Sequence, residues 1–341
     1  MKKVLAILAM ILLIVTGCGQ EMTGQEEKEV PEKKTIESSQ ADQEITEDDE
    51  QKSAERKAVK AVAVTGIADK GNYEVDINGE IQLQDRTLTA SGTTNLLPGS
   101  KLYFYVNPLE GTFIGGQGTA LVEEDGSFLL QSKLPDKYDD PSVFTEIVFS
   151  PGGVTDDEII QYYTEAGDPL KGPFIRLYEK DEELRKKISV ITEIPLTQPE
   201  TTVSIETPKW EKPEDYGSPN VWIEASVQED EKYVYIDGKS NLLEGSTIFG
   251  RLHMDGYITS GFSGRVNTNP DGSFQLIITN PKSKISDLKG YEIRLEFSPT
   301  DGNNLEYIKE TYGENGEHLQ GKLFSNENEA NSILYIMNVK N

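Results

Sequence analysis

The 341-residue chain has one cysteine, two histidines and two tryptophans, and only 33 Lys and Arg against 59 Asp and Glu. A single cysteine excludes an intrachain disulfide, a Cys-based zinc site and a CxxC redox pair. Two histidines leave little for a His-rich metal centre or a general base. The net charge of −26 excludes a basic nucleic-acid groove and a polybasic membrane patch as the main business. The apolar run Val4 to Val15 has 12 residues. At about 1.5 Å per residue it falls short of a hydrocarbon core of about 30 Å, so it does not read as a spanning helix. What the chain does have is length: it passes the size at which single cores stop growing, so more than one domain is expected.

Met1-Lys2-Lys3 ahead of the apolar run, and small Thr16-Gly17 after it, give the size and flanks of a secretory signal peptide. Val15-Thr16-Gly17-Cys18 resembles the lipobox of bacterial lipoproteins. The resemblance implies cleavage between Gly17 and Cys18 and a diacylglycerol on the cysteine sulfur. The chain's one cysteine stands at the single position that pattern requires. Residues 1–17 are therefore expected as the signal peptide, and residues 18–71 as the lipidated Cys18 followed by a disordered acidic linker. Residues 21–60 carry 13 acidic and seven basic side chains and no aromatic one. Such a segment has too little apolar surface to offset the entropy of ordering it. The expected place is the extracytoplasmic face of the cell membrane, held by a lipid anchor.

The rest of the sequence repeats itself. Gly92-Thr-Thr-Asn95-Leu96-Leu97-Pro-Gly99-Ser100 recurs as Gly238-Lys-Ser-Asn241-Leu242-Leu243-Glu-Gly245-Ser246, six of nine positions at an offset of 146. Asp125-Gly126-Ser127-Phe128 returns at the same offset as Asp271-Gly272-Ser273-Phe274. Two such matches at one offset are not chance. The copies span 72–194 and 220–341, and residues 195–219 hold five of the chain's 16 prolines, which reads as a stiff extended spacer. Trp210 within it is expected to tuck against a neighbouring domain. Period-two alternation dominates each copy, as in Leu102, Phe104, Val106 and in Phe274, Leu276, Ile278. Asp125-Gly126 and Asp271-Gly272 read as hairpin turns. Thr155 to Glu158 has capping-box spacing before a helical stripe of Ile159, Ile160 and Tyr163, with a counterpart near Asn304 to Tyr312. The expected fold is mainly β, two tandem β-sandwiches with one short helix each. The Asn-Leu and Asp-Gly-x-Phe stretches resemble immunoglobulin-like or transthyretin-like modules of secreted bacterial proteins, which implies a sandwich and no particular activity.

Candidate chemistry is sparse. His253 and His318 have no counterparts in the first copy, and no Gly-x-Ser-x-Gly elbow exists to use either. Acidic pairs such as Glu123-Glu124, Asp139-Asp140 and Asp156-Asp157 read as solvated surface in preference to a calcium site. Gly99 and Gly245, with Asn95 and Asn241 ahead of them, read as turn formers. Tyr103 and Tyr105 are expected to face outward, and Tyr257 and Phe262 to be displayed on a glycine-rich loop, where rings stack on sugars or on proteins. The expectation is a non-catalytic binding or structural envelope lipoprotein with no cofactor and no metal, Cys18 being its one assigned site. Its partners would be protein or neutral glycan, not nucleic acid. A solute-binding lipoprotein of a transporter, with α/β lobes, and an envelope glycan hydrolase using a carboxylate pair are the alternatives. Oligomeric state is left open.

Overall fold

A computed structural model describes residues 71–113, 117–153, 156–257, 259–326 and 330–340. Gly17, Cys18 and the acidic linker lie outside them. The first copy opens with β1 (Ile77–Gln84) and β2 (Thr87–Thr94), an antiparallel hairpin whose turn residues Asp85 and Arg86 both hold positive φ. Then come β3 (Lys101–Asn107), β4 (Gln117–Leu121), β5 (Ser127–Lys133) and β6 (Ser142–Phe149). The short helix α1 (Asp157–Tyr163) leads into β7 (Ile175–Lys180), β8 (Glu183–Pro195) and β9 (Thr201–Ser204). Two sheets result, in the orders β5-β2-β1-β9 and β4-β3-β6-β8-β7. Their inner faces share one core, including Ile81, Leu88 and Leu130 from the first and Leu102, Phe104, Ile147 and Ile188 from the second. This is the immunoglobulin-type order with its fourth strand transferred to the second sheet.

The second copy repeats the plan with β10 (Ile223–Glu229), β11 (Tyr233–Ser240), β12 (Thr247–His253), β13 (Ser263–Asn267), β14 (Ser273–Thr279) and β15 (Gly290–Phe297). Helix α2 (Glu306–Tyr312), β16 (Phe324–Ser325) and β17 (Ser332–Lys340) follow. The sheets run β10-β11-β14 and β13-β12-β15-β17-β16. The described residues are thus mainly β, forming two antiparallel sandwiches with one α-helix described in each.

The repeated motifs turn out to be fasteners. Asn95 is buried; its Oδ1 accepts from Asp76 N at 2.9 Å and its Nδ2 donates to Glu74 O at 2.8 Å. Asn241 does the same with Trp222 N and Asn220 O, each at 3.1 Å. These asparagines clamp the chain entering the first strand and do not form the turn at all. Gly99 and Gly245, with φ of 85° and 78°, do form it. The neighbouring leucine amides, Leu97 N and Leu243 N, donate to the buried helix tyrosines Tyr163 and Tyr312.

Several expectations are corrected. Gly126 and Gly272 have the positive φ expected, but the strands on either side belong to different sheets, so the turn carries the chain across the sandwich. Asp156 caps α1 through Glu158 N and Ile159 N, where the capping-box reading had placed Thr155. The proline-rich stretch is no unpacked spacer: β9 pairs with β1, and Ile205 is buried in the first core. The tight β7–β8 hairpin, turned by Asp181 and Glu182 at positive φ, was unmarked because no glycine stands there.

The sandwiches are packed together, since Val62–Asn341 is one compact unit. Edge strand β7 meets the second copy, where Leu177 N donates to Glu244 Oε1 at 3.0 Å and Glu306 N donates to Glu179 Oε2 at 2.9 Å. Trp210 tucks as expected: its Nε1 donates to Pro173 O at 2.6 Å under the Arg176 guanidinium, 4.4 Å from the ring centroid. At a second contact Lys232 Nζ lies 3.2 Å from both Asp139 Oδ1 and Asp140 Oδ1.

Candidate functional site

Alternation along β3 sends Leu102, Phe104 and Val106 into the core and leaves Tyr103 and Tyr105 on the outer face. Their rings lie 6.3 Å apart and nearly parallel, at 15°. Tyr103 is fixed by its hydroxyl, which donates to Gly153 O at 3.1 Å, and Lys101 Nζ sits 5.0 Å from its ring centroid. Strand register then builds a face around the pair. Tyr105 stands opposite Gln117 on one side and Glu146 on the other, and Glu146 opposite Ile191. Glu146 Oε1 accepts from Ser189 Oγ at 2.6 Å and Lys187 Nζ at 3.2 Å. Half-buried Phe144 and exposed Ile191 and Leu121 extend the apolar part. Sequence reasoning found the tyrosines and missed Phe144, Glu146 and Ile191. Strand β6 buries residues toward both sides, so its pattern BBiBiBBB hides which face is which.

The same face in the second copy is charged. Phe249, Arg251 and Arg294 take the places of Tyr103, Tyr105 and Glu146. Phe249 is covered by Arg265, 4.5 Å from its centroid, while Arg265 Nε reaches Asp301 at 3.2 Å. Arg294 pairs with Glu292. Arg265 and Arg294 are so engaged, while Arg251 is exposed opposite Arg294, so the two copies share a scaffold but not a surface.

The other candidates come apart. Phe262 is buried in the second core and is not displayed; of the two rings only Tyr257 is exposed. His253 Nε2 stands 3.6 Å from exposed Asp255, and His318 Nδ1 lies 3.0 Å from Thr311 O. Asp156 and Asp157 serve the start of α1, and Asp139 and Asp140 hold Lys232. Among the described residues no three His, Cys, Asp or Glu side chains gather as a metal site. Burial raises the Glu244 carboxyl above the usual carboxylate range, but that group is committed to Leu177 N between the copies and is not aimed into a cleft. The mainly β architecture, with one short α-helix per copy, is unlike the α/β lobes of the transporter reading.

No protein-family model matches the chain, and no curated protein sequence matches it. Among solved structures it is similar to the tetra-tandem repeat in the extending region of a large adhesion protein, at 14% identity and a TM-score of 0.20, over 66% of this chain and 44% of that one. It is also similar to a 1.5-MDa bacterial ice-binding adhesin, at 8% identity and TM-score 0.18, covering 80% and 65% of the two chains. A Ca2+-stabilized, ice-binding adhesin of an Antarctic bacterium matches at 12% identity and TM-score 0.17, covering 81% and 49%. The chain thus spans less than two thirds of each of these structures.

Proposed function

We propose that the chain is a lipid-anchored, extracytoplasmic, non-catalytic protein that binds through the outer face of its first sandwich. The observation that carries the binding role is the Tyr103–Tyr105 pair, parallel and outward, in a copy whose twin has Phe249 under Arg265 and the cations Arg251 and Arg294 at the same place. A sequence that keeps both cores and both asparagine clamps but changes one face has separated scaffold from recognition. Two rings beside Gln117 and Thr119 offer stacking and hydrogen-bonding groups suited to a neutral glycan. Exposed Ile191 and Leu121 favour a protein partner as the second reading. The charge of −26 repels anionic polymers and lipid head groups in either case.

Tyr103→Ala combined with Tyr105→Ala should lower retention on intact envelope material at least tenfold, with the thermal melting curve little changed. The corresponding Arg251→Ala protein should bind as the parent does. Equal retention by the double variant would remove this face from the account. The anchor is tested separately: Cys18→Ala should leave the membrane fraction and appear in the soluble one, read by fractionation and immunoblot.

A further inference from the structure

The outer face of β3 presents Lys101, Tyr103, Tyr105 and Asn107 in turn. Tyr103 is engaged along the strand in both directions. Lys101 Nζ lies 5.0 Å from its ring centroid, and the Tyr105 ring lies parallel to it at 6.3 Å. Its hydroxyl is committed to Gly153 O. Beyond Tyr105 the next outward residue is Asn107, half-buried and opposite Phe144 on β6. Cβ atoms of such a cross-strand pair stand about 5 Å apart. Exposed Gln117 lies opposite Tyr105 on β4. Among the described residues neither the Asn107 nor the Gln117 carboxamide has a hydrogen-bond partner. The carboxylate of Glu146, by contrast, is already held by Ser189 and Lys187. Two free amides and two aromatic rings therefore converge around one end of the tyrosine pair.

We infer that the ligand of this face is an N-acetylated sugar, its ring laid on Tyr105 and its acetamido group set between Asn107 and Phe144. The inference rests on the reading of the face as a glycan surface and names the sugar it selects. An acetamido group offers one N–H donor, one carbonyl acceptor and a methyl. A carboxamide answers the first two reciprocally, its NH2 donating to the acetamido oxygen and its oxygen accepting from the acetamido N–H. The methyl needs apolar contact, which Phe144 supplies one strand away. A plain hydroxyl makes no use of Phe144 and leaves half of the Asn107 amide unanswered. Gln117, across from Tyr105, is placed for the hydroxyls on the other edge of the ring. Acidic sugars are disfavoured, because Glu193 stands opposite Phe144 and Glu146 opposite Tyr105. The second copy lacks the set: Arg251, His253 and Ser263 take the places of Tyr105, Asn107 and Gln117, and Glu292 that of Phe144.

The test uses the full chain, purified in a zwitterionic detergent, and titration calorimetry with two tetramers on one β-1,4 backbone, N-acetylglucosamine and glucose. The N-acetylated tetramer should bind about tenfold more tightly, the worth of one added amide pairing. Asn107→Asp keeps the shape and loses the N–H donor, and Asn107→Leu loses donor and acceptor. Each should bring the preference below about threefold, with the affinity for the glucose tetramer and the melting curve little changed. Equal affinity for the two tetramers, or a preference that survives both substitutions, overturns the inference and leaves the glycan reading standing. Binding of neither tetramer overturns it too, and retention of the Tyr103 and Tyr105 double variant then decides the face itself. If Asn107→Leu fails to fold by circular dichroism, the isosteric Asn107→Asp decides alone.

Discussion

A single side chain carries the entry to each sandwich. Asn241 is fully buried, accepts from Trp222 N and donates both to Asn220 O and to the Asp215 carboxylate. Alanine there leaves a backbone donor and a backbone acceptor without partners in a dry site, and each such group costs about 1–3 kcal/mol. Asn241→Ala should therefore lower stability by about 3 kcal/mol in urea titrations, and Asn95→Ala by a similar amount. A loss below about 1 kcal/mol would mean that water satisfies the orphaned groups. The asparagines were visible in the sequence as repeated residues, yet their work was not. An Asn before a glycine suggests a turn, and only the fold brings Glu74 and Asp76 across to it.

At the scale of elements, β9 is the strand that sequence reading missed. Its four residues, Thr201–Ser204, lie between Pro199 and Pro208, and proline punctuation argues for a spacer. Pairing with β1 overrides it, because the bare edge and the unfilled core beneath reward a short branched strand. Ile205 is the residue that converts that pairing into core burial. Ile205→Ala should destabilise the first sandwich by about 2–3 kcal/mol, the usual range for a buried isoleucine near a surface. Hydrogen exchange would locate the loss: amides of β1 and β9 should lose protection, and those of β11 and β14 should not. Uniform loss across both sandwiches would show β9 to be part of a single cooperative unit. The β7–β8 hairpin was missed for another reason, since Asp181 and Glu182 adopt positive φ without the glycine that advertises it.

For the molecule as a whole, the sandwiches meet through polar groups. Glu244 occupies the position of Pro98 in the first copy and caps an edge-strand amide of its neighbour. Its carboxyl is raised chiefly by burial, against the pull of the Leu177 amide, Arg176 and Lys212. Protonation of Glu244 is therefore more favourable in the folded protein than in the unfolded chain, where the group titrates in the ordinary range. Its contribution is most favourable below that range and is lost as pH rises through the raised value. Glu244→Gln keeps an acceptor for Leu177 and has no charge to lose. The melting temperature of the variant minus that of the parent should thus increase from pH 4 to pH 7.5. A constant difference would mean that Glu244 is solvated within the interface.

The sequence by itself determined the duplication, the β class, the strand faces of β3 and β14, and the two short helices. All of these are local periodicities or repeats that need no knowledge of neighbours. Tertiary structure alone decided the rest: that Phe262 is core, that Tyr103 and Tyr105 share a face with Glu146 and Ile191, and that Thr201–Ser204 joins the first sandwich as a strand on β1. Those facts depend on which segments cross-pair over long separations. The free energy of such pairing lies in burial between sheets, which no single stretch of chain records.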